Sequence, residues 1–171
     1  MHKQIRRLVS SALFAAAIFV ATMMLSVPLP GSGYGNFGDV FVITAAFFLG
    51  PGWGFAVAAI GSALSDIVLG FALYAPATFL IKGCMALVFA LLCRSVRPRG
   101  WFVFVAALAE SVMIGGYFLY ECLLYTPSVA LVNVPGNLAQ GVFGLVLSSI
   151  IVISVSTSKP IMQYAAAWKK K

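Results

Sequence analysis

The chain has 171 residues, of which 62% are hydrophobic and 9% are charged, and its formal net charge is +7. A soluble domain carries roughly 25% charged residues to cover its surface, so four acids and eleven bases argue against a soluble fold. Six membrane-spanning helices of about 20 residues each would use most of this length. We therefore expect residues 1–171 to form one all-α transmembrane domain, a six-helix bundle.

Prolines and glycines divide the apolar sequence into predicted helices. The second helix is short for a span and begins at Asp39, a residue type that often caps helices. A loop containing Pro127, Asn133 and Pro135 is predicted before the last helix. The predicted helices cover residues 7–27, 39–50, 53–72, 77–93, 101–125 and 136–157.

The positions of lysine and arginine predict the orientation. Ten of the eleven bases lie near the two ends of the chain or in the 94–100 loop, which six crossings would place on one side. Because positive loops stay in the cytoplasm, we expect both termini to be cytoplasmic in a multi-pass protein of a prokaryotic plasma membrane. Bases that flank spans do not indicate a nucleic-acid partner. The remaining base, Lys82, lies inside a predicted helix.

Several catalytic motifs are absent from the sequence. His2 is the single histidine, so no Ser-His or Cys-His pair lies in the membrane, and no HExxH or CxxC spacing occurs. There is no GxxxxGK[ST] loop with which the chain could bind ATP. We therefore expect no enzyme, no metal site and no cofactor.

Polar side chains inside apolar helices are costly, so their presence suggests a function or a partner. Those predicted for the outer half of the bundle are Asp39, Lys82, Glu121, Asn137 and Gln140. A second stripe repeats at helical spacing and consists of Glu110, Met113, Tyr117 and Glu121. Such an amide, acid, base and aromatic lining would suit a small heteroaromatic ligand.

Structural roles remain open for the same residues. Asp39 would act as a helix cap, and Asn137 would do so for the last helix. Lys82 would extend to the outer headgroups or pair with Glu121. Glu110 would pack between helices. At this stage the sequence does not choose between these roles and ligand binding.

Helix 1 carries small residues that would permit close helix approach. Ala12 and Ala16 are spaced by four, which is typical of tightly packed transmembrane helices. The neighbour would be either another helix of the same bundle or a separate membrane protein. Asp66, among small residues of the third helix, has no assigned role from its position.

Three stretches of the sequence resemble the substrate-binding S components of energy-coupling factor (ECF) vitamin transporters. Gly33–Asp39, Gly61–Asp66 and Tyr74–Gly83 are similar to the family stretches GYxNxGD, GSALAD and YAPATxxIKG. Ser65 stands where alanine is commoner. These stretches are typical of the branch with pyridoxine- and hydroxymethylpyrimidine-type S components. The Ala12–Ala16 spacing is similar to the family's AxxxA docking motif on helix 1.

The resemblance implies a six-helix bundle that binds one small-molecule vitamin near its outer face. It also implies docking through Ala12 and Ala16 on a transmembrane T component that is driven by two ATP-binding subunits, with toppling in the lipid bilayer. We expect a B6 vitamer such as pyridoxine, or hydroxymethylpyrimidine, as the substrate. The alternative is a stand-alone secondary transporter or channel. The expected substrate-binding residues are Asn36, Tyr74, Lys82, Tyr117, Glu121, Asn137 and Gln140.

Overall fold

The computed structural model describes residues 2–24, 26–28, 34–93 and 99–158. This part of the chain folds into six helices: α1 His2–Met24, α2 Gly38–Leu49, α3 Pro51–Val68, α4 Ala75–Leu92, α5 Arg99–Leu124 and α6 Pro127–Ser156. Five of these are long and apolar enough to cross a membrane, and the 12-residue α2 is the exception. The predicted all-α membrane bundle is therefore confirmed.

Glycine and proline set two of the connections. Gly50 has φ +76°, a left-handed conformation that glycine adopts without strain, and Pro51 begins α3 directly after it. Gly70 has φ +86° and follows the end of α3. This left-handed glycine explains why α3 ends at Val68 rather than at the predicted residue 72.

The connection between α1 and α2 contains two very short strands. β1 (Val27–Pro28) pairs antiparallel with β2 (Tyr34–Gly35). Since Val27 belongs to a strand, α1 ends earlier than predicted, at Met24. The pairing brings β2 back to the start of α2, where the next residues become part of the site.

The predicted start of the last helix, at about residue 136, is wrong. Helix α6 begins at Pro127 and contains Pro135 in its interior. Thr126 caps the helix by accepting a hydrogen bond from the Val129 N–H at 3.4 Å, and a proline at the first helical position needs no donor there. An internal proline is tolerated in a membrane helix because neighbouring groups compensate the lost hydrogen bond. Asn133 therefore lies inside a helix.

The helices alternate in direction. Arg7 at the start of α1 donates from Nη2 to the Leu49 carbonyl at the end of α2, at 3.3 Å. At the opposite end, the Tyr120 hydroxyl donates to the Leu73 carbonyl at 2.5 Å. We call this second end, where α1, α3 and α5 finish and α2, α4 and α6 begin, the site end.

Helix α2 lies inside the bundle. Ten of its twelve residues are buried, and it contacts α1, α3, α4 and α6. The outer helices instead expose large apolar side chains, such as Leu119 and Leu123 on α5, as expected for surfaces that face lipid. A helix enclosed by its neighbours does not need to span the membrane, which explains why α2 is short.

Candidate functional site

The centre of the site is a buried ion pair between two helices. Asp39 in the first turn of α2 is fully buried and pairs through Oδ1 with Nζ of Lys82 on α4. Asp39 does not cap α2, since Phe37 occupies the N-cap position and no side chain bonds there. Lys82 is 1% exposed, so it does not extend to the headgroups, and its ionic partner is Asp39 rather than Glu121.

Gln140 of α6 connects this ion pair to the loop that precedes α2. Its Nε2 donates to Asp39 Oδ2 at 2.6 Å, and its Oε1 accepts from the Asn36 backbone N–H at 2.8 Å. The Asn36 side chain accepts in turn from the Gly38 N–H at 2.9 Å. One amide side chain therefore joins α6, α2 and the loop, and uses both its donor and its acceptor.

The loop is anchored at further points. The Tyr34 hydroxyl donates to Asp66 Oδ1 on α3 at 2.5 Å, and the Tyr34 ring lies 4.9 Å from the Phe71 ring. Phe37 lies 5.5 Å from the Phe143 ring on α6. Burial, and next the adjacent Asp66 carboxylate, raise the pKa of Tyr34 far above its usual range, so its hydroxyl stays protonated as a donor. These contacts assign Asp66 a role in holding the loop.

A second polar cluster lies closer to the site end. Glu121 on α5 accepts through Oε1 from Asn133 Nδ2 at 2.9 Å and from the Tyr74 hydroxyl at 3.3 Å. All three side chains are buried. Asn133 is missing from the site residues expected from the sequence, because the flanking prolines predict a loop at this position. The early start of α6 brings it into the bundle.

Tyr117 lies between the two clusters. Its hydroxyl shares a hydrogen bond of 2.9 Å with Thr78, a residue that sequence reasoning missed. Its ring centroid is 5.6 Å from Lys82 Nζ, within the range of a cation–π interaction. Asn137 is buried on the same face of α6 as the other two amides. It lies in the interior of the helix, so it is not a cap.

The depth of the site follows from helix geometry. An α-helix rises about 1.5 Å per residue, so Lys82 lies about 10 Å and Gln140 about 20 Å from the starts of their helices. The central cluster is therefore well inside the bundle.

The small residues Ala12 and Ala16 of α1 lie on the side of the helix that faces away from the described bundle. Ala12 and Ala16 are exposed, whereas Ile18 is fully buried. The packed face meets α3 at Gly61, where a Cβ would lie 2.9 Å from the Ala15 carbonyl oxygen. Ala12 and Ala16 therefore lie on the exposed side of α1 in the part of the chain that the structure describes, and their docking role stays a prediction.

Comparison with known proteins identifies the family. A family profile described as "ECF-type riboflavin transporter, S component" matches residues 2–157. The chain belongs to this family. S components are transport subunits rather than enzymes, and they bind small vitamins and work with a T component and ATPases. The resemblance of the three sequence stretches is thereby confirmed at the level of the family.

Two relatives and two solved structures are similar over most of the chain. An uncharacterised protein of Pyrococcus woesei is 31% identical over 77% of this chain and 88% of its own length. The thiamine precursor transporter HmpT of Lactococcus lactis subsp. cremoris is 29% identical, over 88% of this chain and 87% of its own. The structure of an S component of a bacterial ECF transporter has a TM-score of 0.75 at 20% identity, covering 90% of this chain and 97% of that one. An S component for biotin has a TM-score of 0.72 at 15% identity, covering 95% and 97%. The two structures share the fold.

Proposed function

We propose that this protein captures a small heteroaromatic vitamin precursor at its site end and carries it across the plasma membrane of a prokaryote. Hydroxymethylpyrimidine is the first candidate, and a B6 vitamer such as pyridoxine is the second. The observation that carries the proposal is the buried network of Asn36, Asp39, Lys82 and Gln140. Similarity to the HmpT thiamine precursor transporter supports the first candidate.

The chemistry of the network suits such a ligand. Lys82 supplies a charged donor, Asp39 supplies acceptors, and Gln140 supplies both. Tyr117 adds an aromatic face beside Lys82. Without a ligand these groups satisfy one another, so a ring with hydroxyl and amine substituents would replace protein contacts by equivalent ones. Such an exchange costs little, because each buried polar group keeps a partner.

The same network links ligand capture to a gate. Gln140 binds both Asp39 and the Asn36 backbone, so a ligand that competes for Gln140 also loosens the loop. The Tyr34 bond to Asp66 would hold the loop closed over a bound ligand. We propose that the loop opens to the outside, since the positive-inside rule places the termini in the cytoplasm and the site end outside.

Delivery inward requires partners. We propose that α1 docks through Ala12 and Ala16 on a T component that is driven by two ATP-binding subunits, and that the bundle then topples. The exposure of both alanines supports this docking face. Small residues let two helices approach closely in lipid. The rival is a stand-alone transporter, which would need no such face.

Calorimetry on the purified protein tests the proposal. Native mass spectrometry first identifies any co-purified ligand, and titrations with hydroxymethylpyrimidine, pyridoxine and riboflavin follow. Heat is a better readout than tryptophan quenching, because Trp53 and Trp101, the tryptophans in the described part of the chain, lie near the end of the bundle opposite the site. We expect one ligand per chain with submicromolar affinity.

Variants connect binding to the network. Gln140→Ala should weaken binding at least 100-fold, whereas Ser111→Ala should not change it, because Ser111 is exposed and bonds the Ala107 carbonyl of its own helix. Tight binding of riboflavin alone would keep the vitamin-capture function and reject the proposed substrate. No binding across the panel would reject the function.

Uptake assays separate the proposal from its rival. Cells that express the chain with a T component and ATPases should accumulate labelled ligand, and an ATPase variant that cannot hydrolyse ATP should abolish uptake. Uptake by the chain alone, driven by an ion gradient, would establish the stand-alone transporter instead.

A further inference from the structure

The buried acids greatly outnumber the buried bases. The chain has four acids, and Asp39, Asp66, Glu110 and Glu121 are all 3% exposed or less. Among the bases whose side chains the structure describes, Lys82 is the one that is buried. The interior of the bundle therefore holds four carboxyl groups against one ammonium. This balance places a limit on the charge of any ligand that enters.

The carboxyl groups also present unused acceptors. Within the described part of the chain, neither oxygen of Glu110 has a hydrogen-bond partner, and Oε2 of Glu121 has none. Both side chains are almost fully buried, so water does not replace the missing partners freely. A buried acceptor without a donor is costly, and more so when it is charged. With Asp66 Oδ2, which also has no partner among the described residues, four carboxyl oxygens form a surplus that protein donors do not meet.

Glu110 borders the central ion pair. A Cβ placed on Gly144 of α6 would lie 2.2 Å from Glu110 Oε1 and 3.0 Å from Asp39 Cβ, so the two acids are neighbours. A Cβ on Gly141 would lie 3.7 Å from Glu110 Oε2. Two glycines of α6 therefore leave room for the Glu110 carboxyl group beside the pair of Asp39 and Lys82. Its position makes it part of the same site.

We infer that Glu110 binds the ligand, and that the site selects a non-anionic ligand rich in N–H donors and rejects phosphate esters and carboxylates. This inference rests on the proposed function and defines its substrate class more narrowly. An exocyclic amine beside a protonated ring nitrogen would offer Glu110 two donors, and hydrogen bonds to a carboxylate are among the strong ones.

Electrostatics opposes the phosphorylated forms of the same ligands. A phosphate monoester carries about −1.5 to −2 charges at neutral pH, and it would enter a site where the carboxyl groups of Asp39 and Glu110 are already neighbours. Repulsion between like charges is strong where the effective dielectric constant is low. The Lys82 ammonium already pairs with Asp39, so a phosphate would have to compete with that carboxylate for it.

The test uses matched ligands on the unmodified protein. Hydroxymethylpyrimidine is compared with its phosphate ester and with the analogue that lacks the amine, and pyridoxine with its 5′-phosphate, all by calorimetry. We expect the phosphate esters to bind at least 100-fold more weakly and the analogue without the amine at least 10-fold more weakly. A phosphate ester that binds as tightly as its parent would overturn the inference and leave vitamin capture standing. Binding of none of these compounds would instead reject the proposed substrate, and the absence of riboflavin binding as well would reject the proposed function.

Glu110→Gln tests the residue itself. The variant keeps the shape of the side chain and removes its charge, and we expect it to weaken hydroxymethylpyrimidine binding at least 10-fold. The dissociation constants of hydroxymethylpyrimidine and of the analogue without the amine should then become nearly equal. Ser111→Ala on the same helix is the matched control and should keep both values. Thermal unfolding verifies that the variant is folded. A folded Glu110→Gln protein with an unchanged ratio would refute the role of Glu110.

Discussion

The pairing of Lys82 with Asp39 predicts a specific response to neutral replacement. Lys82→Met removes the ammonium but keeps the length and apolar stem of the side chain. Asp39, which is fully buried, then loses its ionic partner and keeps the hydrogen bond of 2.6 Å from Gln140. Removal of one partner of a buried ion pair costs about 3–5 kcal/mol, because the other charge stays buried without compensation.

Because the Gln140 hydrogen bond to Asp39 remains, we expect the free energy of unfolding to fall by about 3 kcal/mol, the lower end of that range. For a chain of 150–250 residues, 1 kcal/mol shifts the unfolding midpoint by about 2–4 °C. We therefore expect Lys82→Met to lower the midpoint by about 6–12 °C. Adding Asp39→Asn should restore most of this loss, because a neutral amide beside Gln140 needs no counter-charge.

Thermal unfolding of detergent-solubilised protein, monitored by circular dichroism, measures Lys82→Met, Asp39→Asn and the double variant against the unmodified chain. The decisive comparison is between Lys82→Met and the double variant, since each single change alone could lower stability for several reasons. If the double variant is as unstable as the sum of the two single variants, then Lys82 and Asp39 are not coupled and the ion pair is not the centre of the site.

Three further predictions concern packing, the loop and docking. Gly144→Ala should lower the unfolding midpoint by several degrees, because the new methyl group would lie 2.2 Å from a buried carboxylate oxygen. The control, Gly115→Ala, should be neutral or stabilising, because its methyl group would have no atom within 4 Å. Tyr34→Phe should raise the ligand dissociation rate, measured by stopped flow, about 10-fold without abolishing binding, since one hydrogen bond holding the loop is worth about 1–1.5 kcal/mol. An unchanged dissociation rate would show that this hydrogen bond does not hold the gate. Ala16→Leu should leave ligand affinity unchanged but abolish co-purification with the T component, while Leu123→Ala on the exposed face of α5 should not; retained co-purification of Ala16→Leu would place docking elsewhere.

Much of the architecture could be predicted from the sequence. Long apolar segments and few charges indicate spanning helices whatever their neighbours are, since an unpaired backbone is not stable in lipid. The number of helices and the interruption at Gly50 and Pro51 follow from local rules. The start of α6 does not, because Pro135 would end a helix in water but is tolerated inside this bundle.

Several residues of the candidate site could be selected from the sequence, but not their arrangement. Lys82, Glu121, Asn137 and Gln140 stand out because each is polar in an apolar segment. The sequence offered Glu121 as the partner of Lys82, whereas the structure pairs Lys82 with Asp39, 43 positions away in the chain.

Composition by itself therefore determined that this protein lies in a membrane and that its buried polar groups need partners. The tertiary structure alone decided which partners meet. Asp39 and Glu121 are both acids that Lys82 could neutralise, and nothing local distinguishes them. Only the packing of the short helix α2 inside the bundle brings Asp39 to Lys82 and leaves Glu110 without a partner among the described residues.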